Sequence, residues 1–235
     1  MSRSDKMPSG FVVAIDGPAG SGKSTVAKLT AAEVNLMYID TGAMYRALTL
    51  KALRAGVGPG DAEGLASLAG KTVIEQEQDQ AGTGTRTFLD GNDVTAEIRM
   101  PDVTAAVSAV SSHPNVRKLL VDKQRYLAGQ AERGAIIEGR DVGTVVFPDA
   151  DVKIFMDAAA GERARRRTRD MAAAGVDADE NQIRKAIMER DGLDSSREAS
   201  PLVKAKDAVV LDTTSLSVEE TVAKLVDMVK RKKGA

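Results

Sequence analysis

The sequence predicts an α/β protein, a five-stranded parallel sheet flanked by helices, and three observations carry that expectation. Five short apolar runs, Phe11–Ile15, Leu36–Ile39, Ala135–Ile137, Val152–Met156 and Val209–Asp212, have the length and β-branched character of buried strands. Helical patterns separate them, the alternation expected of parallel strands joined by crossover helices. Three polar stretches, Gly17–Ser24, Asp40–Arg46 and Glu138–Asp141, each directly follow a strand. They therefore share the carboxyl edge of the sheet, where open α/β sheets bind their ligands.

The first run leads into Gly17-Pro18-Ala19-Gly20-Ser21-Gly22-Lys23-Ser24, which satisfies the phosphate-loop pattern G-x-x-x-x-G-K-[ST]. A strand stands before it and helical spacing (Val26–Val34) after it, the context that pattern requires. The first amides of such a helix are unpaired and, with the helix dipole, favour a polyphosphate. Gly17, Gly20 and Gly22 allow close approach of the backbone and positive φ. Lys23 is expected to reach the β- and γ-phosphates and the Ser24 hydroxyl to take Mg²⁺. The chain is read as binding a nucleoside triphosphate through Gly17–Ser24 and the adjoining Thr25.

Further along, Ala43–Ala55 reads as a helix stopped near Gly56, and Asp61 as the cap of a short helix through Leu68. From Lys71 to Asp93 the character changes. Thr72–Glu77 and Thr85–Leu89 are extended, and Gly82-Thr83-Gly84 and Asp90-Gly91-Asn92-Asp93 are hairpin signals, so a small antiparallel insert is expected. Asp102 is taken as the N-cap of a helix to about Ser111. His113-Pro114 breaks it, and Asn115–Gly129 is a further helix. Gly161–Ala174 is a basic helix, Asp179–Arg190 another, Gly192–Ser200 a polar loop and Val218–Lys230 an amphipathic closing helix. No internal repeat or low-complexity block stands out.

A chain of 235 residues has room for one domain with insertions and a sizeable core. Thirty-three basic residues against 34 acidic leave a net charge of −1, which argues against a non-specific nucleic-acid binder. Aromatics at 3% with no tryptophan argue against stacking on single strands. The absence of cysteine excludes disulfides, thiolate zinc sites and cysteine nucleophiles. Met1–Gly10 lacks the apolar stretch of a signal peptide and no run approaches a membrane span, so the expected location is the cytoplasm.

Three kinds of phosphate-loop protein compete. A GTPase needs a base-reading Asn-Lys-x-Asp after a strand, and none is present. A motor, transport or switch ATPase needs an apolar strand ending in a water-activating carboxylate, which Ile136-Ile137-Glu138 resembles weakly. A kinase of a small phosphorylated acceptor needs arginines at the strand-end edge, and Arg46, Arg117, Arg140, Arg163, Arg166, Arg167, Arg190 and Arg197 supply them. Transfer between two phosphates needs no general base, because the nucleophile is already an oxyanion; positioning and charge stabilisation suffice. Guanidiniums suit that task, holding phosphate oxygens bidentately while staying charged. The single histidine, His113, reads as a turn residue beside a proline.

Several long motifs together resemble the bacterial cytidylate kinases, nucleoside monophosphate kinases of the P-loop class. They are Ile15–Thr25, Asp40-Thr41-Gly42-Ala43-Met44-Tyr45-Arg46, Glu138–Pro148 and Lys153–Ala158. The resemblance implies a P-loop kinase core (residues 11–70 and 103–235) with an antiparallel NMP-binding insert (71–102), a helical lid (about 159–176) and a flexible tail (1–10). It implies transfer of the γ-phosphoryl of ATP–Mg²⁺ to CMP or dCMP by a monomer with no nucleic-acid or membrane partner. Arg46, Arg140, Arg197 and Thr41 match the acceptor-phosphate residues, Thr41 standing where relatives often carry serine. Ser108, Arg117 and Asp141 match the base-selecting residues, and Arg190 and Asp194 the ribose contacts. Lys23, Arg140 and the lid arginines Arg163 and Arg167 are then the catalytic set. Arg163, Arg166 and Arg167 share a helix face by their spacing. Arg165, Arg169 and Lys230–Lys233 read as solvated charge. A kinase for another monophosphate such as UMP, or a nucleotide switch with no acceptor, are the alternatives.

Overall fold

Residues 11–15 and 134–137 are apolar on both faces, which suits only the middle of a sheet covered on both sides, and they lie there. The computed structural model describes residues 10–78, 84–173 and 175–234. The chain runs β1 (Phe11–Asp16), α1 (Lys23–Val34), β2 (Met37–Asp40), α2 (Thr41–Arg54), α3 (Ala62–Lys71), β3 (Ile74–Gln78), β4 (Thr85–Leu89) and β5 (Asn92–Asp93). A 3-10 turn (Glu97–Arg99), α4 (Pro101–Val110), α5 (Pro114–Ala128), β6 (Gly134–Gly139) and a π-helical turn (Val142–Val146) follow. β7 (Val152–Asp157), α6 (Ala160–Ala173), α7 (Glu180–Ser196), β8 (Val209–Asp212) and α8 (Val218–Lys233) complete it.

The main sheet has the order β2-β6-β1-β7-β8 with every pair parallel. Alternation along β1 sends Val12 and Ala14 into one core layer and Val13 and Ile15 into the other. Ile39, Met44, Leu48, Leu120 and Ile137 build the first layer; Val26, Ile136, Met156 and Leu225 build the second. The expected parallel sheet with helices on both faces is therefore present. So is the small antiparallel sheet, of order β3-β4-β5. Its β4–β5 turn uses Asp90 and Gly91, both at positive φ as a tight hairpin requires. Gln76 ties this sheet to the core, accepting from the Asp40 amide at 3.0 Å and donating to the Asp40 carbonyl at 2.8 Å. Gly82, Thr83, Ala174 and the first nine residues lie outside the described residues. Among those described, no helix is long and apolar enough to cross a membrane.

Several helix boundaries differ from the sequence expectation, and three of them have a plain physical cause. α2 begins at Thr41, because Asp40 ends β2 and caps the helix through Ala43 N–H (2.8 Å). α4 is capped at Met100 rather than Asp102: Pro101 occupies the first helical position, where its missing N–H costs nothing. α7 continues to Ser196 through residues expected to be loop. Of its 17 residues only Ile187 and Asp194 are buried, so no apolar stripe marked it as a helix.

Gly134 has φ 101°, and a Cβ there would lie 2.1 Å from the Phe11 carbonyl oxygen, at the start of β6. Gly134→Ala is expected to lower stability by more than about 2 kcal/mol, by strain and parted strands. Ser217→Ala, which removes the capping box of α8, is expected to cost about 1 kcal/mol. Urea unfolding of the two variants checks that order.

Candidate active site

The phosphate loop joins β1 to α1 with Gly17, Gly20 and Gly22 all at positive φ. A Cβ on Gly17 would lie 1.9 Å from the Met156 carbonyl oxygen, and one on Gly20 would lie 3.2 Å from Arg163 Cβ. The loop is thus pressed between β7 and α6. Gly22 is the N-cap of α1 and offers no side-chain cap, which leaves the first helical amides for a ligand. Lys23 is 4% exposed; its Nζ donates to the Pro18 carbonyl at 2.7 Å and to Ser21 Oγ at 3.3 Å. Burial first, and then the Arg140 charge, pull its pKa down to about 7 against the counter-pull of Glu138 and Asp16. Ser24 and Thr25 are exposed at the start of α1. The Tyr38 hydroxyl donates to Glu138 Oε1 at 2.8 Å and also reaches the Ser24 side chain. Asp40 and Glu138 face each other across β2 and β6, and burial followed by the Glu138 charge raises the Asp40 pKa to about 6.

A cleft beside the loop gathers residues from five parts of the chain, Val107 and Ser111 of α4 and its end among them. α2 contributes Thr41, whose Oγ1 donates to the Glu138 carbonyl at 2.7 Å. α5 contributes Arg117, the turn after β6 contributes Arg140 and Asp141, and α7 with its end contributes Arg190, Asp194 and Arg197. Arg117 is held by Asp141 Oδ2 at 2.5 Å, by the Ser111 carbonyl at 3.0 Å and by the Tyr45 ring, 5.1 Å away. Arg140 Nε donates to Asp194 Oδ2 at 2.9 Å. Arg197 Nε donates to the Ser200 carbonyl at 2.6 Å, and its Nη1 is 3.6 Å from Asp194 Oδ1.

Three guanidinium N–H groups of this cluster, Nε of Arg117, Nε of Arg190 and Nη2 of Arg197, are buried without a partner among the described residues. Each such donor costs about 1–3 kcal/mol until an acceptor arrives. Burial, then Arg140, holds the Arg190 pKa below the usual range; burial, then Arg117, does the same to Arg197. The arrangement is poised for an anion.

Arg46 and Ser108 do not line this cleft. The Arg46 guanidinium donates to Thr104 Oγ1 at 2.7 Å and to the Ile98 carbonyl at 3.3 Å. Its pKa falls to about 10 through burial and the nearby Arg190 charge, with Arg99 and Arg167 adding to the effect. It therefore stands among arginines at the cleft's side. Ser108 is half-buried on α4 and its carbonyl accepts from Ser111 Oγ at 3.1 Å; Ser111, one turn later, is the residue that lines the cleft.

The three lid arginines divide. Arg163 is buried and donates to the Ala158 carbonyl (2.9 Å), the phosphate-loop carbonyl of Ala19 (3.0 Å) and Asp191 Oδ2 (2.6 Å). Arg166 binds Glu162 and both oxygens of Thr213. Arg167 is exposed, makes no hydrogen bond among the described residues, and adds its charge to the field on Arg46 and Arg190. Arg165 is exposed beside Glu162, and His113 Nε2 meets the Pro59 carbonyl at 2.7 Å in a turn.

Sequence reasoning passed over Tyr45, Ser111, Asp191 and Arg99. Tyr45 lies four residues from Thr41 and Ser111 three from Ser108, so helical spacing alone places each beside a residue already singled out. Asp191 and Arg99 carried no such signal.

A phosphate loop at the end of β1, beside a cleft of partly unpaired guanidiniums on the same sheet edge, defines a P-loop nucleotide-binding protein of the phosphotransferase kind. The profile of the family described as Cytidylate kinase matches residues 13–231. The chain is 51% identical over 214 residues to the cytidylate kinase of Pelotomaculum thermopropionicum, covering 91% of this chain and 93% of that protein. It is 47% identical over 225 residues to the cytidylate kinase of Mycobacterium leprae, covering 96% and 98%. An uncharacterized protein from Eubacterium ventriosum superposes with a TM-score of 0.50 at 14% identity, over 94% of this chain and 98% of that one, a likeness of fold alone. The chain belongs to the cytidylate kinase family.

The Arg117–Asp141 pair is almost wholly buried, with side chains 4% and 6% exposed. Asp141→Ala strands the Arg117 charge and is expected to cost about 3–5 kcal/mol. Asp93→Ala, which breaks the exposed pair with Arg86 and the turn contacts with Thr95, is expected to cost far less. Chemical denaturation of both variants measures the contrast.

Proposed function

We propose that the chain transfers the γ-phosphoryl group of ATP–Mg²⁺ to CMP or dCMP, giving ADP and CDP or dCDP. The observation that carries this reading is the cluster of unpaired, buried guanidinium N–H groups in the cleft beside the phosphate loop. In this reading the loop from Gly17 to Thr25 and Lys23 hold the donor phosphates. Thr41, Arg46, Arg140 and Arg197 hold the acceptor phosphate, and Arg190 and Asp194 the sugar. Arg117 and Asp141, with Ser108 on the neighbouring helix, read the base. A carboxylate and a guanidinium suit the amino donor and ring acceptors of cytosine; uracil reverses two of those polarities and leaves buried groups unpaired. The acceptor phosphate is already ionised, so Arg140 and Arg167 have only to offset charge on the group in transit. Arg163 acts on the same step from behind, holding the Ala19 carbonyl of the loop. The insert (71–102) and lid (159–176) close over the substrates and exclude water. The protein is proposed to act as a monomer.

The oxygen donors at the start of α1 fit a hard divalent cation: the Ser24 hydroxyl is exposed there, with the Asp40–Glu138 carboxylate pair beside it through Tyr38. Mg²⁺ bound at Ser24 would neutralise donor phosphate charge.

Turnover against CMP, dCMP, UMP and AMP tests the reading, with ADP formation measured in the absence of any acceptor. CMP and dCMP are expected to dominate and the acceptor-free reaction to be nearly silent. A leading UMP rate would favour the other monophosphate kinase, and acceptor-independent ADP release a switch. Arg117→Ala is expected to reduce the preference for CMP over UMP by about 1–3 kcal/mol, read as the change in the ratio of kcat/KM values.

Lys23 yields a second expectation. With a pKa of about 7 in the free protein it is mostly neutral at about pH 8, and a bound polyphosphate favours its charged form. ATP binding at that pH should therefore take up close to one proton per site, falling away toward pH 6 where Lys23 is already charged. Calorimetry in buffers of different ionisation enthalpy measures the uptake, which Lys23→Ala should abolish together with transfer.

A further inference from the structure

Asp16 is the last residue of β1, directly before the phosphate loop, and is 4% exposed. Its carboxylate accepts two consecutive backbone amides, Val142 N–H at Oδ1 and Gly143 N–H at Oδ2, both at 2.7 Å. Those amides open the π-helical turn immediately after Arg140 and Asp141. No side chain caps that turn from within, so Asp16, 126 residues earlier, serves as its cap.

The two sides of this clamp are held differently. The backbone of β1 is paired up to Asp16 on both sides, with Gly139 of β6 and Phe155 of β7, so the entrance to the phosphate loop is fixed without the Asp16 side chain. The 140–143 turn lies beyond the last paired residue of β6, and its first two π-helical amides depend on that carboxylate. We infer that Asp16 is a positioning residue for the acceptor, setting where Arg140 and Asp141 stand relative to the donor loop. Asp16 lies behind both residues and acts on the acceptor through the backbone. The groups facing the carboxylate are Asp141, Lys23 and the Lys153 stem beside Gly143. This inference rests on the assignment of Arg140 and Asp141 to the acceptor nucleotide.

Asp16→Asn keeps the size and one oxygen acceptor but turns an N–H₂ group toward an amide that needs an acceptor. The expected result is a rise in KM for CMP of about tenfold or more, the scale of one charge-assisted hydrogen bond. The CMP-over-UMP preference should fall with it, while KM for ATP stays within about twofold, since β-pairing holds the loop. A residue needed only for stability would lower the unfolding midpoint and leave these ratios unchanged, and that outcome would overturn the inference; so would equal rises in both KM values. Gly143→Ala is the gentler second variant, required if Asp16→Asn does not fold. Its Cβ would lie 3.3 Å from Lys153 Cδ, where one of the two must give by a few tenths of an ångström, and 3.4 Å from Asp16 Oδ2, directly against the clamp. It should raise KM for CMP a few-fold with KM for ATP unmoved, and an unchanged CMP KM here would also sink the idea. Wild-type enzyme assayed in parallel separates the two claims: no preference for CMP over UMP there would instead remove the acceptor assignment itself.

Discussion

Uncompensated positive charge, held close by a folded frame, is the constraint to which the rest of this molecule answers. Four guanidiniums (Arg117, Arg140, Arg190, Arg197) and two carboxylates (Asp141, Asp194) line the cleft, so four minus two leaves two positive charges. A phosphate monoester carries between one and two negative charges at neutral pH, so the imbalance matches the proposed ligand. Lys23 and Arg46 add to it from either side, and both have pKa values pulled down by burial and by neighbouring arginines. Holding like charges together with unpaired donors destabilises the free protein locally. The two central strands, buried along almost their whole length with helices packed on both faces, supply the stability that lets such a site persist.

The distribution of burial tells which parts of that frame can yield. β6 is buried at all six positions, whereas α7 buries only Ile187 and Asp194. α7 is attached through ion pairs, Arg140–Asp194 and Arg163–Asp191, and not through an apolar face. Polar attachments of this kind can be exchanged for contacts with a ligand at small net cost, because one charge partner replaces another. The residues proposed to read the base sit on the rigid side, with Thr41, Arg46 and Arg140 proposed for the phosphate, while Arg190, Asp194 and Arg197 are proposed to grip sugar and phosphate from the yielding side. Selection by shape and polarity requires the first to be fixed, and enclosure requires the second to move.

This same contrast explains what could be read from the sequence. The central strands were legible as short continuous apolar runs, most helices because their burial is periodic, and the phosphate loop because its glycines answer to local sterics. α7 beyond Arg190 resembled a loop because charge pairs, which leave no periodic trace, hold it. Pro101 displaced the expected cap at Asp102 by a local rule that the apolar pattern obscured. In the site, Thr41, Arg117, Arg140, Asp141, Arg190, Asp194 and Arg197, each singled out from a motif, line one cleft. The spacing of Arg163, Arg166 and Arg167 gave a shared face but could not tell that two of them turn onto partners such as Ala19 and Thr213. Asp16 and Asp191 were illegible because their meaning lies in partners 126 and 28 residues distant.

Donor and acceptor sides are joined by two linkages of opposite character. One is Asp16, buried, with both oxygens occupied by backbone amides that cannot rotate away. The other runs through a single turn of α7, where Asp194 faces the cleft and Asp191 holds Arg163, whose guanidinium grips the phosphate-loop carbonyl of Ala19. Asp191 Oδ1 is buried and unpaired, so this second linkage is incompletely satisfied as it stands. A displacement of that turn that seats an anion against Arg190 necessarily moves the partner of Arg163 as well. In the proposed reading the rigid linkage would keep the two phosphate sites in register, and the yielding one would let occupancy of the cleft be felt at the phosphate loop. Transfer to an acceptor, and not to water, asks for both properties at once, and one kind of linkage alone could not provide them.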